Sequence, residues 1–592
     1  MPKSHRAEGI GMHYASWQMI QDLWQMIAGH RLRFIFATIV RLLSDLAGLL
    51  PIYTFAEITN FFVRYQAGDS LRYVWWMMVV FTIAIIVRAT CKFTAKSWGY
   101  KIAESVGIET TIKAVNHLFL LDMAWHEREN AGNKIKRIQN ASEAINKILR
   151  LWFDCVVEII VNVIAINVIL GSFDILVTLL IVLFLIVYFV LARILTRKAA
   201  KASYEVNAQE ENVAGLVYES INNIKTVKVM SMRAPLLNMI TAAGTKLFAK
   251  IRVKILSYQA RNSSLSALAG LTKAGIMIVI IHGVTQGAYE LGFLVLFNSY
   301  FTSINGSIED LANVTQDFVS GKFSAARLKK IMDEPITIDS ETNKYSFPKN
   351  WQKISFKDVS FAYGKNKVLK NISFEVKRGE KVGIVGLSGA GKSTILKLLL
   401  KERDQFSGDI LIDNISLKDI SKQSYFEHVS VVLQDTEVFN FPLKDNITIT
   451  NTNKRTNAKL FKQALEIAHI TDLVKKLPDG LNTIIGEKGV KLSGGERQRL
   501  GIARAIFKQP EILLLDEATS HLDLESEEKI RDSLHAFFEN VTAIVIAHRL
   551  TTIREMDKIL VIEDGKLIES GSFTMLQKLR GRFFELWDKQ GL

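Results

Sequence analysis

The stretch Gly386-Leu-Ser-Gly-Ala-Gly-Lys-Ser-Thr394 decides the fold of the second half of this chain. A strand-forming sequence, Lys-Val-Gly-Ile-Val, precedes it at 381–385, and helix-forming residues follow it. This order is typical of a phosphate-binding loop, in which backbone N–H groups at the start of a helix point at phosphate oxygens. We expect Lys392 to reach the outer phosphates and Ser393 to reach Mg²⁺. The loop residues predicted to bind nucleotide are Gly386, Ser388, Gly389, Gly391, Lys392, Ser393 and Thr394.

A second pattern, Glu-Ile-Leu-Leu-Leu-Asp-Glu at 511–517, predicts a buried strand that ends in two acids. Because the chain also contains a phosphate loop, we expect the two acids to have distinct roles. Asp516 would hold the metal, directly or through water, and Glu517 would act as general base on the attacking water. Without that loop, two surface acids after a core strand would be the simpler interpretation. The implied ligands are therefore ATP and Mg²⁺.

The first half of the chain has a different composition. Six apolar stretches, each about 20 residues or longer, are long enough to cross a bilayer; they lie near 34–62, 73–95, 148–170, 173–195, 260–284 and 290–312. Before them, Tyr14–Gly29 predicts a helix in the membrane interface, with Trp17, Ile20, Leu23, Trp24 and Ile27 on one face.

Basic residues are distributed unevenly between these stretches. Arg88–Arg150 and Arg193–Arg261 are rich in Lys and Arg, whereas Gly171–Asp174 and Gly283–Glu290 contain none. This positive-inside pattern places the basic segments in the cytoplasm and accounts for part of the net charge of +15. No aromatic module accompanies the basic residues, so we expect no nucleic-acid partner. The two cysteines indicate neither a disulfide framework nor a metal site.

The long inward segments, 96–147 and 196–259, have a helix-forming composition with one short break each, at 125–132 and 218–225. We interpret them as helical hairpins that extend the spans into the cytoplasm. Five ionisable residues inside the spans must face the bundle interior or a water-filled cavity. They are Arg41, Asp45, Glu57, Glu158 and Lys273, and both pairing with each other and contact with an amphiphilic substrate remain open for them. All of them except Glu57 are candidate cavity residues.

Near residue 351 short β-rich runs begin to alternate with helical stretches, which predicts an α/β domain with a largely parallel sheet. The predicted fold is an all-α, six-span transmembrane domain followed by an α/β P-loop nucleotide-binding domain. The expected boundaries are 1–325 for the transmembrane domain, 326–350 for a linker and 351–592 for the nucleotide-binding domain.

Residues 492–498, Leu-Ser-Gly-Gly-Glu-Arg-Gln, resemble the signature of ATP-binding-cassette proteins. Further segments resemble that family in the same order along the chain. Tyr363 resembles the aromatic residue that stacks on adenine, Gln434 the glutamine that senses the γ-phosphate and contacts the metal, and His548 the switch histidine. Gly486–Gly489 resembles the loop before the signature, and Ser520–Asp523 the loop that crosses the dimer interface.

The resemblance implies an exporter of the lipid-flippase or multidrug kind, whose hairpin breaks are coupling helices. It also implies that Ser493, Gly494 and Gly495 cap the γ-phosphate bound by a second copy of the chain. A homodimer is the simplest arrangement, and a heterodimer with a related half-transporter stays open. ATP would drive alternating access and move a lipid, a lipid-linked compound, a drug or a peptide out of the cytoplasm or inner leaflet. The alternative is an ATP-gated channel or a regulatory subunit. We expect a bacterial plasma-membrane protein, in contact with membrane lipid, whose nucleotide-binding domain is cytoplasmic.

One position departs from the family pattern. The interface loop has His521 where alanine is usual. A tolerated variant and a pH-dependent ATPase are the two interpretations of this histidine.

Overall fold

In the computed structural model, the described residues are 14–127, 131–338, 344–486, 489–516, 537, 541–547 and 550–589. The chain divides into two units. The first comprises the residues up to Val115 and Ile135–Met332, and the second comprises Asn116–Lys134 and the residues from Asp333 onward. The tip of the first predicted hairpin therefore belongs to the same unit as the nucleotide-binding domain.

The first unit is helical. Five helical stretches are long and apolar enough to cross a membrane: Ala28–Arg64, Arg72–Leu120, Lys134–Phe173, Ile175–Asn222 and Arg233–Thr285. The sixth predicted span lies in the 42-residue helix Leu291–Met332, where Asn298 and Asn305 interrupt the apolar sequence. That helix also continues through the first residues of the predicted linker. Numbered along the chain, the helices are α1 Ser16–Met26, α2 Arg31–Ala47, α3 Leu50–Arg64, α4 Arg72–Leu120, α5 Met123–His126, α6 Ala131–Leu151, α7 Val157–Phe173, α8 Ile175–Asn222, α9 Ile224–Val229, α10 Arg233–Thr285 and α11 Leu291–Met332.

The helical hairpins are present, but their breaks are displaced from the predicted positions. The first break follows Leu120 rather than Trp125, and the second follows Asn222 rather than Tyr218. At the first tip Asp122 has an extended backbone, and its carbonyl oxygen accepts the N–H of Trp125 at 2.9 Å, which starts the short helix α5.

Helix α1 is amphipathic, as predicted. Met19 is buried against Ala325 and Ala326 of α11, and the Asp22 carboxylate pairs with Lys329 at 3.1 Å. Of the predicted apolar face, Trp17, Ile20 and Trp24 are exposed, whereas Ile27 is buried. Gln18, Gln21 and Gln25 are also exposed. Exposed indole rings on a helix fastened to the bundle suit a membrane interface.

The second unit contains two sheets and short helices. A four-stranded antiparallel sheet has the order β2-β1-β4-β5, and a six-stranded sheet has the order β10-β9-β3-β8-β7-β6. In the larger sheet all neighbours from β9 to β6 are parallel. The strands are β1 Lys353–Tyr363, β2 Asn366–Lys377, β3 Lys381–Val385, β4 Ser407–Ile412, β5 Ile415–Ser416, β6 Val429–Val432, β7 Ile512–Asp516, β8 Thr542–Ile546, β9 Lys558–Glu563 and β10 Lys566–Gly571.

Besides α5 at the hairpin tip, the second unit contains a set of helices that follow Met332. They are α12 Lys392–Leu399, α13 Lys422–His428, α14 Leu443–Thr448, α15 Ala458–Ile467, α16 Thr471–Lys476, α17 Gly494–Lys508, α18 Phe573–Leu579 and α19 Arg582–Asp588. Strand β7 is apolar and buried along Ile512–Leu515, as its sequence predicts for a strand covered on both faces.

Candidate functional site

The phosphate-binding loop has the predicted strand, loop and helix. It leaves β3 at Val385 and enters α12 at Lys392. Gly391 has a φ of +106°, which side chains with a Cβ rarely adopt. A Cβ on Gly386 would lie 2.1 Å from the carbonyl oxygen of Ile562. Both positions therefore need glycine for the loop to keep this path.

The lysine of the loop is held inside it. The buried Nζ of Lys392 donates to the carbonyl oxygens of Gly386 at 2.9 Å and Leu387 at 3.0 Å. Ser393 is exposed at the first turn of α12, where helical N–H groups lack intrahelical acceptors. An ammonium group, a hydroxyl and a helix N-terminus together suit a polyphosphate.

Parallel strands bring the other predicted groups to one edge of the six-stranded sheet. Ile384 in β3 pairs with Ile546 in β8, and Ile546 pairs with Asp516 in β7. Strand β6 lies beside β7, and the exposed Gln434 follows it. Because these strands run in the same direction, the phosphate loop, Asp516 and Gln434 all follow strand ends at the same edge. The oxygen atoms of Ser393, Gln434 and Asp516 are the ligand type that Mg²⁺ prefers.

The predicted adenine platform lies at the end of β1. Tyr363 is 39% exposed, and Phe361 packs edge-on against it with ring centroids 4.8 Å apart. The guanidinium of Arg403 lies over the Tyr363 ring, 5.7 Å from its centroid. The ring is thus supported by protein contacts and still accessible.

The signature segment forms the N-terminus of α17. Ser493 is the N-cap: its hydroxyl accepts the N–H of Glu496 at 3.3 Å, and the Glu496 carboxylate accepts the N–H of Ser493 at 2.7 Å. The Ser493 side chain is exposed, and its hydroxyl hydrogen has no acceptor among the described residues. Gly494 and Gly495 form the first turn of the helix. A hydroxyl donor at a helix N-terminus is suited to an external phosphate.

Sequence reasoning missed a half-buried arginine behind the segment that follows Gln434. Arg504 of α17 donates to the carbonyl oxygens of Glu437 at 2.6 Å and Asn446 at 2.7 Å, and to the Asn446 side chain at 2.7 Å. Asn446 is fully buried and also holds the backbone of Phe439 and Phe441. Burial lowers the pKa of Arg504 to about 10. These contacts join residues 58 and 67 positions apart, so no local pattern could have indicated them.

In the first unit, three of the four candidate cavity residues are paired with each other. Arg41 is fully buried, with its Nε 3.1 Å from the Asp45 carboxylate and its Nη2 2.6 Å from the Glu158 carboxylate. Arg88 and Lys92 lie near Glu158 at 3.7 and 3.6 Å. Pairing, one of the two interpretations of these charges, is therefore observed.

The fourth candidate residue has a different environment. The Nζ of Lys273 donates to the hydroxyl of Thr302 on α11 at 2.9 Å, and no ion pair is seen for it within the described part of the chain. Lys273 is therefore the candidate whose charge an anionic group of a substrate could still neutralise.

Several predicted residues lie outside the described ranges. They include Glu517, His548 and all of Ser520–Asp523, which contains His521. They also include the two central residues of Gly486–Gly489. The described neighbours Asp516 and Ala547 end at the same sheet edge, immediately before Glu517 and His548.

Residues 369–520 match the ABC transporter family, and residues 34–308 match the ABC transporter transmembrane region. A beta-(1→2)glucan export ATP-binding/permease protein of Bartonella henselae is 31% identical over 80% of this chain and 80% of its own length. A heavy metal exporter of the ATM1 type from Novosphingobium aromaticivorans is 31% identical over 83% of this chain and 81% of its own.

An ATP-dependent lipid A-core flippase of Syntrophus aciditrophicus is 33% identical over 63% of this chain and 62% of its own length. A solved structure of a bacterial Atm1-family ABC exporter with ATP bound superposes with a TM-score of 0.84, at 27% identity, over 95% of this chain and 99% of that one. The two matched regions agree with relatives that are 31% identical over about four fifths of both chains. This chain therefore belongs to the ATP-binding-cassette transporters and is an integral membrane exporter that couples ATP hydrolysis to transport.

Proposed function

We propose that two copies of this chain form a homodimer in which each ATP is held between the phosphate loop of one copy and the signature of the other. The main support for this proposal comes from Ser493. Its side chain is exposed at the N-terminus of α17, and its hydroxyl hydrogen has no acceptor among the described residues. One chain has one phosphate loop and one signature. A two-fold arrangement would complete two identical sites.

Within each site the residues have separate tasks. Lys392 and the loop amides bind the phosphates, Tyr363 stacks on the adenine, and Ser493 of the second copy donates to the γ-phosphate. Ser393, Gln434 and Asp516 would hold Mg²⁺, which neutralises charge on the phosphate oxygens when bound. Glu517 takes a proton from the attacking water, and His548 steadies the γ-phosphate.

ATP binding draws the two nucleotide-binding domains together, and hydrolysis separates them. The hairpin tips transmit this motion and turn the transport cavity outward. Relatives with similar overall sequence are named for a glucan, lipid A-core and heavy metals, so sequence similarity alone leaves the cargo open. Lys273 supports an amphiphilic substrate, because it offers a charge at membrane depth without an ion-pair partner among the described residues. The basic segments support a cytoplasmic nucleotide-binding domain at a bacterial inner membrane.

Mixed dimers test the shared site. A Lys392→Ala chain and a Ser493→Ala chain, each with its own affinity tag, are co-expressed, and the doubly tagged dimer is purified. In the proposed arrangement this dimer has one intact site and one doubly broken site, and we expect ATP hydrolysis well above that of either homodimeric variant. Hydrolysis no faster than in those variants would contradict a site shared between copies.

Transport itself needs a second assay, because a channel or regulatory subunit would share the nucleotide site. In liposomes, ATP-dependent accumulation of a fluorescent amphiphile against its gradient supports an exporter. ATP-dependent movement only down the gradient would favour the gated channel.

A further inference from the structure

The second unit contains a contact that links the proposed adenine platform to the tip of the first helical hairpin. Arg403 lies in the segment between α12 and β4, and its side chain is 12% exposed. Its guanidinium lies over the ring of Tyr363, and its Nη2 donates to the carboxylate of Glu127. Glu127 follows α5 at the hairpin tip. One side chain therefore touches both features.

Both ends of this link are fixed by further contacts. At the hairpin tip, the Asp122 carboxylate accepts the N–H of Ile338 at 3.1 Å and the hydroxyl of Thr337. At the other end, the buried Lys401 donates to the carbonyl oxygen of Ile420, which anchors the segment that carries Arg403. A displacement of the hairpin tip would therefore pull on Arg403 rather than be absorbed by a loose loop.

Two acidic groups lie close to Arg403. Glu402 is partly buried, and burial raises the pKa of its carboxyl, with the negative charge of Glu127 contributing further. Arg403 is thus next to one acid in sequence and paired with another in space. The Nε of Arg403 is buried and has no hydrogen-bond partner among the described residues, so the ion pair and the ring contact are its main attachments.

We propose that Arg403 is a positioning residue that couples the adenine-stacking face of Tyr363 to the seating of the hairpin tip through Glu127. The inference rests on the proposed nucleotide site, because it takes Tyr363 as the adenine platform. The guanidinium of Arg403 over the Tyr363 ring fixes the orientation of that ring. Stacking of adenine on the ring then favours the position of Arg403 in which it also binds Glu127. By linkage, nucleotide binding strengthens the hairpin contact, and the hairpin contact strengthens nucleotide binding to the same extent.

The test measures binding of ATP and of tripolyphosphate to the full-length protein in nanodiscs, in a Glu517→Gln background that slows hydrolysis. Tripolyphosphate has the phosphates without the base. We expect Arg403→Ala to weaken ATP binding about threefold to tenfold, the range of a cation–π contact, and to leave tripolyphosphate binding unchanged. Arg403→Lys should fall between, since lysine keeps the charge beside Glu127 but lacks the planar guanidinium.

Glu127→Gln supplies the decisive comparison, because Glu127 belongs to the hairpin tip. We expect it to weaken ATP binding as well, and the double variant with Arg403→Ala to bind no more weakly than Arg403→Ala alone. Lys353→Ala is the matched control. Lys353 lies on the same strand as Tyr363 and forms an exposed ion pair with Glu375 of β2. Loss of this pair should change the affinity for neither ATP nor tripolyphosphate.

Three outcomes would overturn the inference: wild-type ATP affinity in Arg403→Ala, equal weakening for ATP and tripolyphosphate, or additive effects of the two substitutions. Tyr363→Ala separates this failure from failure of the proposed site. If Tyr363→Ala weakens ATP binding while Arg403→Ala does not, only the link is wrong. If Tyr363→Ala has no effect, the adenine platform itself is wrong.

Discussion

The two halves of this chain use polar and charged residues in opposite ways. In the nucleotide-binding half, Lys392 and Ser493 are held in place by backbone contacts that leave groups suited to a ligand. In the membrane half, Arg41 is fully buried and paired with Asp45 and Glu158. The nucleotide-binding half therefore carries its function in local motifs, whereas the charges of the membrane half largely satisfy each other. The contrast explains why the reaction can be derived from this sequence and the cargo cannot.

The largest expected effect concerns the phosphate loop. Lys392→Ala should lower ATP hydrolysis by about 1,000-fold, because it removes the positive charge that the loop brings to the outer phosphates. Lys397→Ala, on the same helix, is the control and should retain near wild-type turnover. Steady-state ATP hydrolysis in nanodiscs measures both. Substantial ATP hydrolysis by Lys392→Ala would contradict the role of Lys392 in binding the phosphates.

The membrane side is tested by Arg41→Ala. Two carboxylates, those of Asp45 and Glu158, would then remain at membrane depth without their main partner, which should cost about 3–5 kcal/mol. We expect a loss of folded protein in size-exclusion chromatography and a lower midpoint of thermal unfolding. Lys147→Ala, which breaks an exposed pair with Asp317, should leave both unchanged.

A triple variant tests whether the loss of stability comes from the unpaired charges. Arg41→Met combined with Asp45→Asn and Glu158→Gln removes the charges together and should recover much of the lost stability. If Arg41→Ala is instead stable but loses stimulation by a transported amphiphile, these residues contact substrate, and the structural interpretation of the cluster is wrong.

Arg504→Ala should have the next largest effect. It leaves the carbonyl oxygens of Glu437 and Asn446 without their donor and should lower the unfolding midpoint of the nucleotide-binding half by about 5–10 °C. Arg455→Ala removes an exposed pair with Asp445 nearby and should shift the midpoint little. Equal shifts in the two variants would contradict the role given to the buried network.

The smallest effect is a pH dependence at Glu402. Because burial raises the pKa of this carboxyl, the folded protein binds a proton more tightly than the unfolded chain does, and this contribution to stability is lost as the pH rises through the folded pKa. Glu402→Gln should therefore raise the unfolding midpoint slightly at pH 7 relative to wild type. The gain should vanish when both states are protonated in acid. A lower midpoint at pH 7 would show that the charged form is stabilised instead.

Much of the fold and of the nucleotide site was predictable, because the necessary chemistry is local in sequence. The glycines around Lys392 are needed for the loop path, and the apolar run before Asp516 predicts a buried strand end. The exporter class followed from the family resemblance of the motifs, and composition indicated the five helical stretches that are long and apolar enough to cross a membrane. By contrast, the hairpin turns were displaced, because their positions depend on capping and tertiary contacts at residues such as Asp122.

The remaining features depend on distant pairs. Arg403 and Glu127 are 276 positions apart, and Arg41 and Glu158 are 117 apart. In a single sequence Arg403 and Glu127 look like ordinary surface charges, and Arg41 and Glu158 stand out only as charges inside apolar spans. Nothing near any of them indicates the partner. Only the pair of Arg41 with Asp45, four residues apart on one helix, was accessible to sequence reasoning.

The most direct test of a complete ATPase homodimer is the ATP hydrolysis rate of this chain, purified alone in lipid nanodiscs, beside its Glu517→Gln variant. We expect steady turnover by the wild type, and a variant that still binds ATP but hydrolyses it at least about 100-fold more slowly. Hydrolysis by the variant at the wild-type rate would contradict Glu517 as the base. If neither protein hydrolyses ATP, the complete homodimer is contradicted, and a partner chain must supply what this chain lacks.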